Sequence, residues 1–195
     1  MPLYRHHDKE LLHIHVPKTG GTSITKAVEY HDGLVSFIRK APLRQCGNVP
    51  PQHMTIEYTN KFFDLKKLNS FALIRHPWRR TASEFVWQNR RTNWTGMDNW
   101  LRSTLMDVDH EKYANHMLPQ HKFVNDDVKL FRYDRDWGKV VDYIGKQLEI
   151  KNFDVTMSEH KIQVYTPPVT GVLSTSTLSM WEEFYKEDLD LYHSL

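Results

Sequence analysis

Residues 13–24 read HIHVPKTGGTSI. A lysine, two adjacent glycines and three hydroxyl side chains follow a short apolar run, in a chain that holds only 8 glycines. This composition suits an oxyanion. A strand, a glycine turn and a helix start together aim backbone N–H groups at one point, with the helix dipole behind them. Gly20 and Gly21 open backbone angles that other residues resist and let an anion come close. Lys18 adds a mobile charge, and Thr19, Thr22 and Ser23 add hydroxyl donors. Hydrogen bonds to charged groups contribute about 1.5–3 kcal/mol each, so such a cluster holds a phosphate well. A plain glycine turn capping a helix would have no need of the lysine.

The order is not that of a Walker A loop, GxxxxGK[ST], because the lysine precedes the glycines and the loop is too short. An ATP-dependent kinase is therefore disfavoured. A second stretch, RHPWRRTASEF (75–85), sets Arg75 and Ser83 eight residues apart. An arginine ending a strand and a hydroxyl two turns into the next helix can converge on another phosphate, with Arg80 in support. Read alone, Arg75 could equally cap its strand, and Ser83 could be a small packing residue.

These residues need elements to carry them. LLHIHV (11–16) reads as a short buried strand ended by Pro17, and the spacing of Ile24, Ala27 and Val28 opens a helix near Thr22. Residues 31–52 look loop-like with one short element, and TIEYTNKFFDL predicts a helix over 55–65. SFALIR (70–75) is the second strand. Pro77 starts a helix on the stripe Trp78, Ala82, Phe85 and Val86, running to about Arg90. VKLFRYD (128–134) is the third strand, followed by a helix marked by Val140, Val141, Ile144 and Leu148. Leu178, Trp181, Tyr185, Leu189 and Tyr192 form the face of one C-terminal helix, with several hydroxyl N-caps from Ser174 onward. Strands alternating with helices imply a parallel sheet covered on both faces, with ligands at the carboxyl ends of the strands. Both anion motifs fall there.

The pair of motifs resembles the sulfotransferases that use 3′-phosphoadenosine 5′-phosphosulfate. HIHVPKTGGTSI is similar to their 5′-phosphosulfate loop, and ALIRHPWRRTASEF to their 3′-phosphate motif, RNPxxRxxSxY. The likeness is greatest to the carbohydrate-type enzymes and extends weakly through PQHKFVNDDVKLFRYDRDWGKVVDYIG and FYKEDLDLYHSL. His76 stands for the usual Asn, Arg79 for a frequent Asp and Phe85 for a frequent Tyr; none removes an expected phosphate ligand. The resemblance implies one α/β domain over 1–195, with a central parallel sheet flanked by helices in a P-loop-like sulfotransferase fold. It implies that Pro17, Lys18, Thr19, Gly20, Gly21, Thr22 and Ser23 hold the 5′ end of the donor, while Arg75 and Ser83 hold the 3′-phosphate. Lys18 would then neutralise the bridging oxygen as it leaves, a charge present only as the bond breaks. No metal is needed.

An acceptor hydroxyl must lose its proton during the attack, and a histidine, with an ordinary pKa of about 6.5, suits that task. Among 12 histidines, His53 in PPQHMTIEYT is the choice. Related carbohydrate enzymes carry a His-x-Thr-x-x-Glu-like segment, which His53, Thr55 and Glu57 match with the last spacing shorter by one. Glu57 is the competing base, and His15 a further candidate. His53 could instead be a helix-start residue bonded to backbone. Trp87, Trp94 and Trp100 are interspersed with Arg90, Arg91 and Arg102, as an acidic sugar would require, or as helix-packing aromatics. Trp87, Arg90, Arg91 and Trp94 are the substrate-binding candidates. The loop-like stretch 160–176 is expected to cover the adenine or the acceptor. A non-catalytic nucleotide-binding module that keeps the phosphate loops is the alternative reading.

Composition sets outer bounds. The chain is 39% apolar and 26% charged, as in an ordinary globular protein, and its net charge of +2 does not suggest a nucleic-acid partner. No HExxH or Cys/His spacing suggests a metal. No apolar run approaches the roughly 20 residues needed to span a bilayer. The charged start lacks a signal-peptide pattern, and Cys46 is the only cysteine. The expectation is a cytoplasmic protein.

Overall fold

The computed structural model of the chain describes residues 1–38, 41–89, 94–107, 109, 113–155 and 166–195. Five strands, β1 (Leu3–His6), β2 (Lys9–His13), β3 (Leu34–Ser36), β4 (Ser70–Ile74) and β5 (Lys129–Arg132), form one sheet in the order β3-β1-β2-β4-β5. Around it lie α1 (Gly21–Tyr30), α2 (Ile56–Thr59), α3 (Pro77–Asn89), α4 (Met97–Met106), α5 (Trp137–Gln147), α6 (Thr175–Phe184) and α7 (Lys186–Ser194). The expected α/β fold is present. Its parallel part is β2, β4 and β5. To this the N-terminal hairpin adds an antiparallel edge, with β1 paired to β2 from Leu3↔Leu12 to His6↔Lys9 and to β3 on its other side.

The strand expected over 11–16 is thus the second arm of a hairpin, and the chain stays extended past its end. The Ile14 amide donates to the Phe71 carbonyl at 2.8 Å, which extends the parallel pairing with β4 beyond the end of β2. Every residue of β4 is buried. Phe71 and Leu73 pack with Ile24 and Val28 of α1 and with Val140 and Ile144 of α5. Ala72 and Ile74 pack on the other face with Leu12, Met54, Phe123 and Tyr192. A strand covered on both faces needs this unbroken apolar run. A third cluster joins α3, α4 and α6 through Trp78, Phe85, Met97, Leu101, Trp181 and Tyr185.

Three helices differ from expectation. α2 is only four residues long, because Phe62 and Phe63 turn to meet Phe37, at ring separations of 6.2 and 5.0 Å, instead of extending a helical face. α4 opens at Gly96, where φ is 82°, in the stretch read above as substrate-facing aromatics. The C-terminal stripe is two helices broken at Tyr185. Trp181 and Tyr185 serve the α3 cluster while Tyr192 serves the sheet, and the bend lets one stripe reach both. The Tyr185 hydroxyl donates to the Met117 carbonyl at 2.7 Å and pins the bend. Among the described residues, no helix is long and apolar enough to cross a membrane.

Candidate active site

The first anion motif is a tight turn between Ile14 and α1. Lys18 and Gly20 both adopt positive φ, 69° and 85°. Gly20 stands at the N-cap of α1, and no side chain caps the helix. The Thr19 hydroxyl turns inward and donates to the Val16 carbonyl at 2.8 Å, so this side chain closes the turn while Thr22 remains exposed and Ser23 half-buried. Pro17 is buried; its carbonyl accepts from Arg80 Nε at 3.1 Å.

The two motifs meet. The Arg75 guanidinium donates through Nη1 to the Lys18 carbonyl at 3.0 Å and lies 4.9 Å from the centre of the Tyr133 ring. Its Nε is buried with no partner among the described residues. An arginine in that condition has donor capacity to spare for an anion. The Gln120 side chain fixes the Arg75 backbone, accepting from its amide at 3.0 Å and donating to its carbonyl at 2.8 Å. Arg80, 2% exposed, also donates through Nη2 to the His116 and Leu118 carbonyls at 2.6 and 2.8 Å. It therefore ties the lysine turn to the segment before residue 120. Ser83 is half-buried on α3.

Lys18 Nζ stands 3.9 Å from the Glu84 carboxylate and 5.1 Å from the centre of the Trp87 ring. Burial pulls its ammonium below the ordinary lysine range; Glu84 opposes that fall and Arg75 adds to it. Trp87 is 60% exposed and so forms an open wall beside the lysine.

His53 closes a short 3₁₀ turn, Pro51–His53, and is buried. Its Nδ1 lies 3.2 Å from the Ala114 carbonyl. A carbonyl only accepts, so Nδ1 carries the hydrogen and the neutral ring keeps its lone pair on Nε2. Burial first, then the neighbouring His15 and His116, push its pKa well below the ordinary value. The ring is therefore an unprotonated base at neutral pH. His13, His15, His53 and His116 follow one another at centroid separations of 5.4, 5.1 and 4.8 Å. His116 Nδ1 reaches the Glu84 carboxylate at 2.9 Å.

Other candidates lie elsewhere. Glu57 is exposed on α2 and pairs with Lys61 at 3.3 Å, so the structure does not bring it to Lys18 or His53. Trp94 stacks on Phe85 at 6.0 Å within the helix cluster, which is a packing role. Arg90 and Arg91 lie outside the described residues, as does the first part of the 160–176 loop, residues 160–165. Its described end holds the Pro167 carbonyl, which accepts from Trp78 Nε1 at 2.7 Å. Glu84 and His116 are absent from the sequence-based set. Glu84 stands one helical turn beyond Arg80 with nothing in the sequence to mark it as buried, and His116 sits in an irregular stretch that gives no pattern. Among the described residues, no group of three or more His, Cys, Asp or Glu is arranged to hold a metal ion.

Fold and site together define an α/β protein whose parallel strands end in a lysine–glycine turn and an arginine that touch across the sheet edge. Residues 2–193 match the model of the Sulfotransferase family, and the chain belongs to that family. The family's reaction is the transfer of a sulfuryl group, in general to a hydroxyl-bearing acceptor. No curated protein and no solved structure matches the chain.

Proposed function

We propose that the chain transfers the sulfuryl group of 3′-phosphoadenosine 5′-phosphosulfate to a hydroxyl of a carbohydrate, in a cytoplasmic setting. The donor supplies an activated sulfuryl group on a phosphate leaving group; the chain supplies charge, orientation and a base. The Lys18 turn holds the 5′ end, with the backbone of residues 19–23 and the start of α1 directed at the anion. Arg75 and Ser83 hold the 3′-phosphate. Lys18 neutralises the oxygen that leaves, and His53 takes the acceptor proton on Nε2. Trp87 offers an aromatic face to the sugar, and Arg90 and Arg91 add cations for an acidic one.

The observation that carries this reading is the Arg75–Lys18 contact, 3.0 Å between guanidinium and carbonyl, which joins two motifs 57 residues apart. The buried, unpartnered Nε of Arg75 supports an anionic ligand at that junction. The test pairs calorimetry of 3′-phosphoadenosine 5′-phosphate with a labelled-donor screen of glycans, phenols and small alcohols, for wild type and Lys18→Ala. Binding, together with transfer that falls by about 10²–10³ in the variant, is expected. No heat of binding would remove the reading, and binding without transfer to any acceptor would leave the non-catalytic module.

A further inference from the structure

Glu84 is fully buried on α3, and neither phosphate motif accounts for it. Its carboxylate accepts from His116 Nδ1 at 2.9 Å and from Gln88 Nε2 at 2.8 Å, with Lys18 Nζ at 3.9 Å. Burial alone would raise its pKa, but the hydrogen bond and charge of His116, together with Lys18, hold it below the ordinary range. A buried charge costs several kcal/mol unless it is paired. This one persists because a cation and a ring able to become one both face it.

Those partners converge on the reaction centre. Trp87, one turn beyond Glu84, is 5.1 Å from Lys18 Nζ and 5.1 Å from the His116 ring. His116 meets His53 edge-on at 4.8 Å. Besides Glu84, the titratable groups around this pair are His15, Lys18 and the amino terminus.

The geometry points to Glu84 as the counter-charge of the transfer step, acting through His116 on the proton that leaves the acceptor. This rests on the roles proposed above for Lys18 and His53. As the acceptor oxygen bonds to sulfur, the S–O bond to the nucleotide breaks and its electron pair stays on the phosphate. The hydroxyl proton passes to His53. Lys18 then answers the new phosphate charge, and Glu84, released from Lys18, answers the new imidazolium through His116. Glu84 and His116 touch neither donor nor acceptor; they are positioning residues.

Turnover and nucleotide affinity of the full chain, read side by side with an acceptor from the screen above, test this. In Glu84→Gln, kcat at saturating donor should fall about tenfold or more. Calorimetry should show 3′-phosphoadenosine 5′-phosphate bound as in wild type or tighter, because Lys18 is no longer held. Glu84→Asp, which keeps the charge, should recover part of the lost kcat. Wild-type kcat in a folded, nucleotide-binding Glu84→Gln overturns the inference. Should that variant not fold, His116→Gln must show the same fall in kcat with affinity kept, and an unchanged kcat there is equally fatal. Failure of the wild-type chain to bind nucleotide removes the donor reading itself, whereas normal binding with an unchanged kcat removes only Glu84.

Discussion

The imidazole of His15 fills the volume in which Gly21 would carry a side chain: a Cβ there would lie 2.2 Å from the ring. At Gly20 a Cβ would lie 3.1 Å from both Trp137 and Tyr133, on a backbone already at φ 85°. The paired glycines thus admit protein rings on their side-chain positions, a purpose additional to the one the motif suggests. His15 in turn lies edge-on to His53, so the turn and the base share one packed row. Gly21→Ala should cost about 1–3 kcal/mol as an overpacked core position, read from the denaturant midpoint. Adding His15→Ala should recover part of that loss, and strictly additive losses in the double variant would refute the coupling.

His53→Ala should lower turnover by about 10²–10⁴ while nucleotide affinity stays near wild type. The ring is held through Nδ1 by the Ala114 carbonyl and meets His15, which lies beside the lysine turn. Loss of the base therefore leaves the donor's ligands standing. Rates at saturating donor decide it. Wild-type turnover in the variant would transfer the role to another residue, with His116 better situated than the exposed Glu57.

The same row makes stability depend on acidity. Burial lowers the pKa of His13 and His53 well below the ordinary value, and that of His15 to about 3. Unfolded, each ring titrates at about 6.5. The unfolded chain therefore binds protons first as pH falls, and the stability present above about pH 6.5 is lost below it. Each such ring contributes a slope of about 1.4 kcal/mol per pH unit until its folded pKa is reached. Carboxylates titrate lower, so pH 5–6.5 isolates the histidines. Denaturant midpoints at pH 7, 6 and 5 should drop steadily; a flat profile would mean that these rings accept protons while folded.

The parallel half of the fold was legible because β4 is an unbroken apolar run, the signal that burial on two faces imposes, and because β5 sets Leu130 and Phe131 ahead of an amphipathic helix. The hairpin arm β1 was not, since LYRH carries one arginine and one histidine and lacks an apolar run. The bend at Tyr185 was hidden because the apolar stripe continues through it, and only tertiary packing shows that its two ends face different clusters. At the site, Lys18 and Arg75 were readable as motif residues at strand tips. Glu84 and His116 were not, because the chemistry of a buried carboxylate comes from partners distant in sequence. Glu57, close to His53 in sequence, was misleading for the same reason: its side chain faces solvent on the short helix α2.

A chain of hydrogen bonds runs from the last helix to the lysine turn and yields the longest-range expectation. Asp188, buried on α7, accepts from the Gln120 and His121 amides at 2.7 and 2.9 Å. Gln120 grips the Arg75 backbone at both its amide and its carbonyl, and Arg75 bonds the Lys18 carbonyl. Asp188→Asn keeps the shape but turns an amide donor toward a backbone donor, leaving one buried N–H unpaired at about 1–3 kcal/mol. The turn around Gln120 should loosen, and Arg75 with it. Loss of one charge-assisted bond to a phosphate corresponds to about tenfold or more in affinity. Calorimetry should therefore show 3′-phosphoadenosine 5′-phosphate weakened about tenfold, with adenosine 5′-phosphosulfate, which lacks the 3′-phosphate, nearly unaffected. Equal losses for the two nucleotides would show that the clamp steadies the whole sheet edge and does not act through the 3′-phosphate.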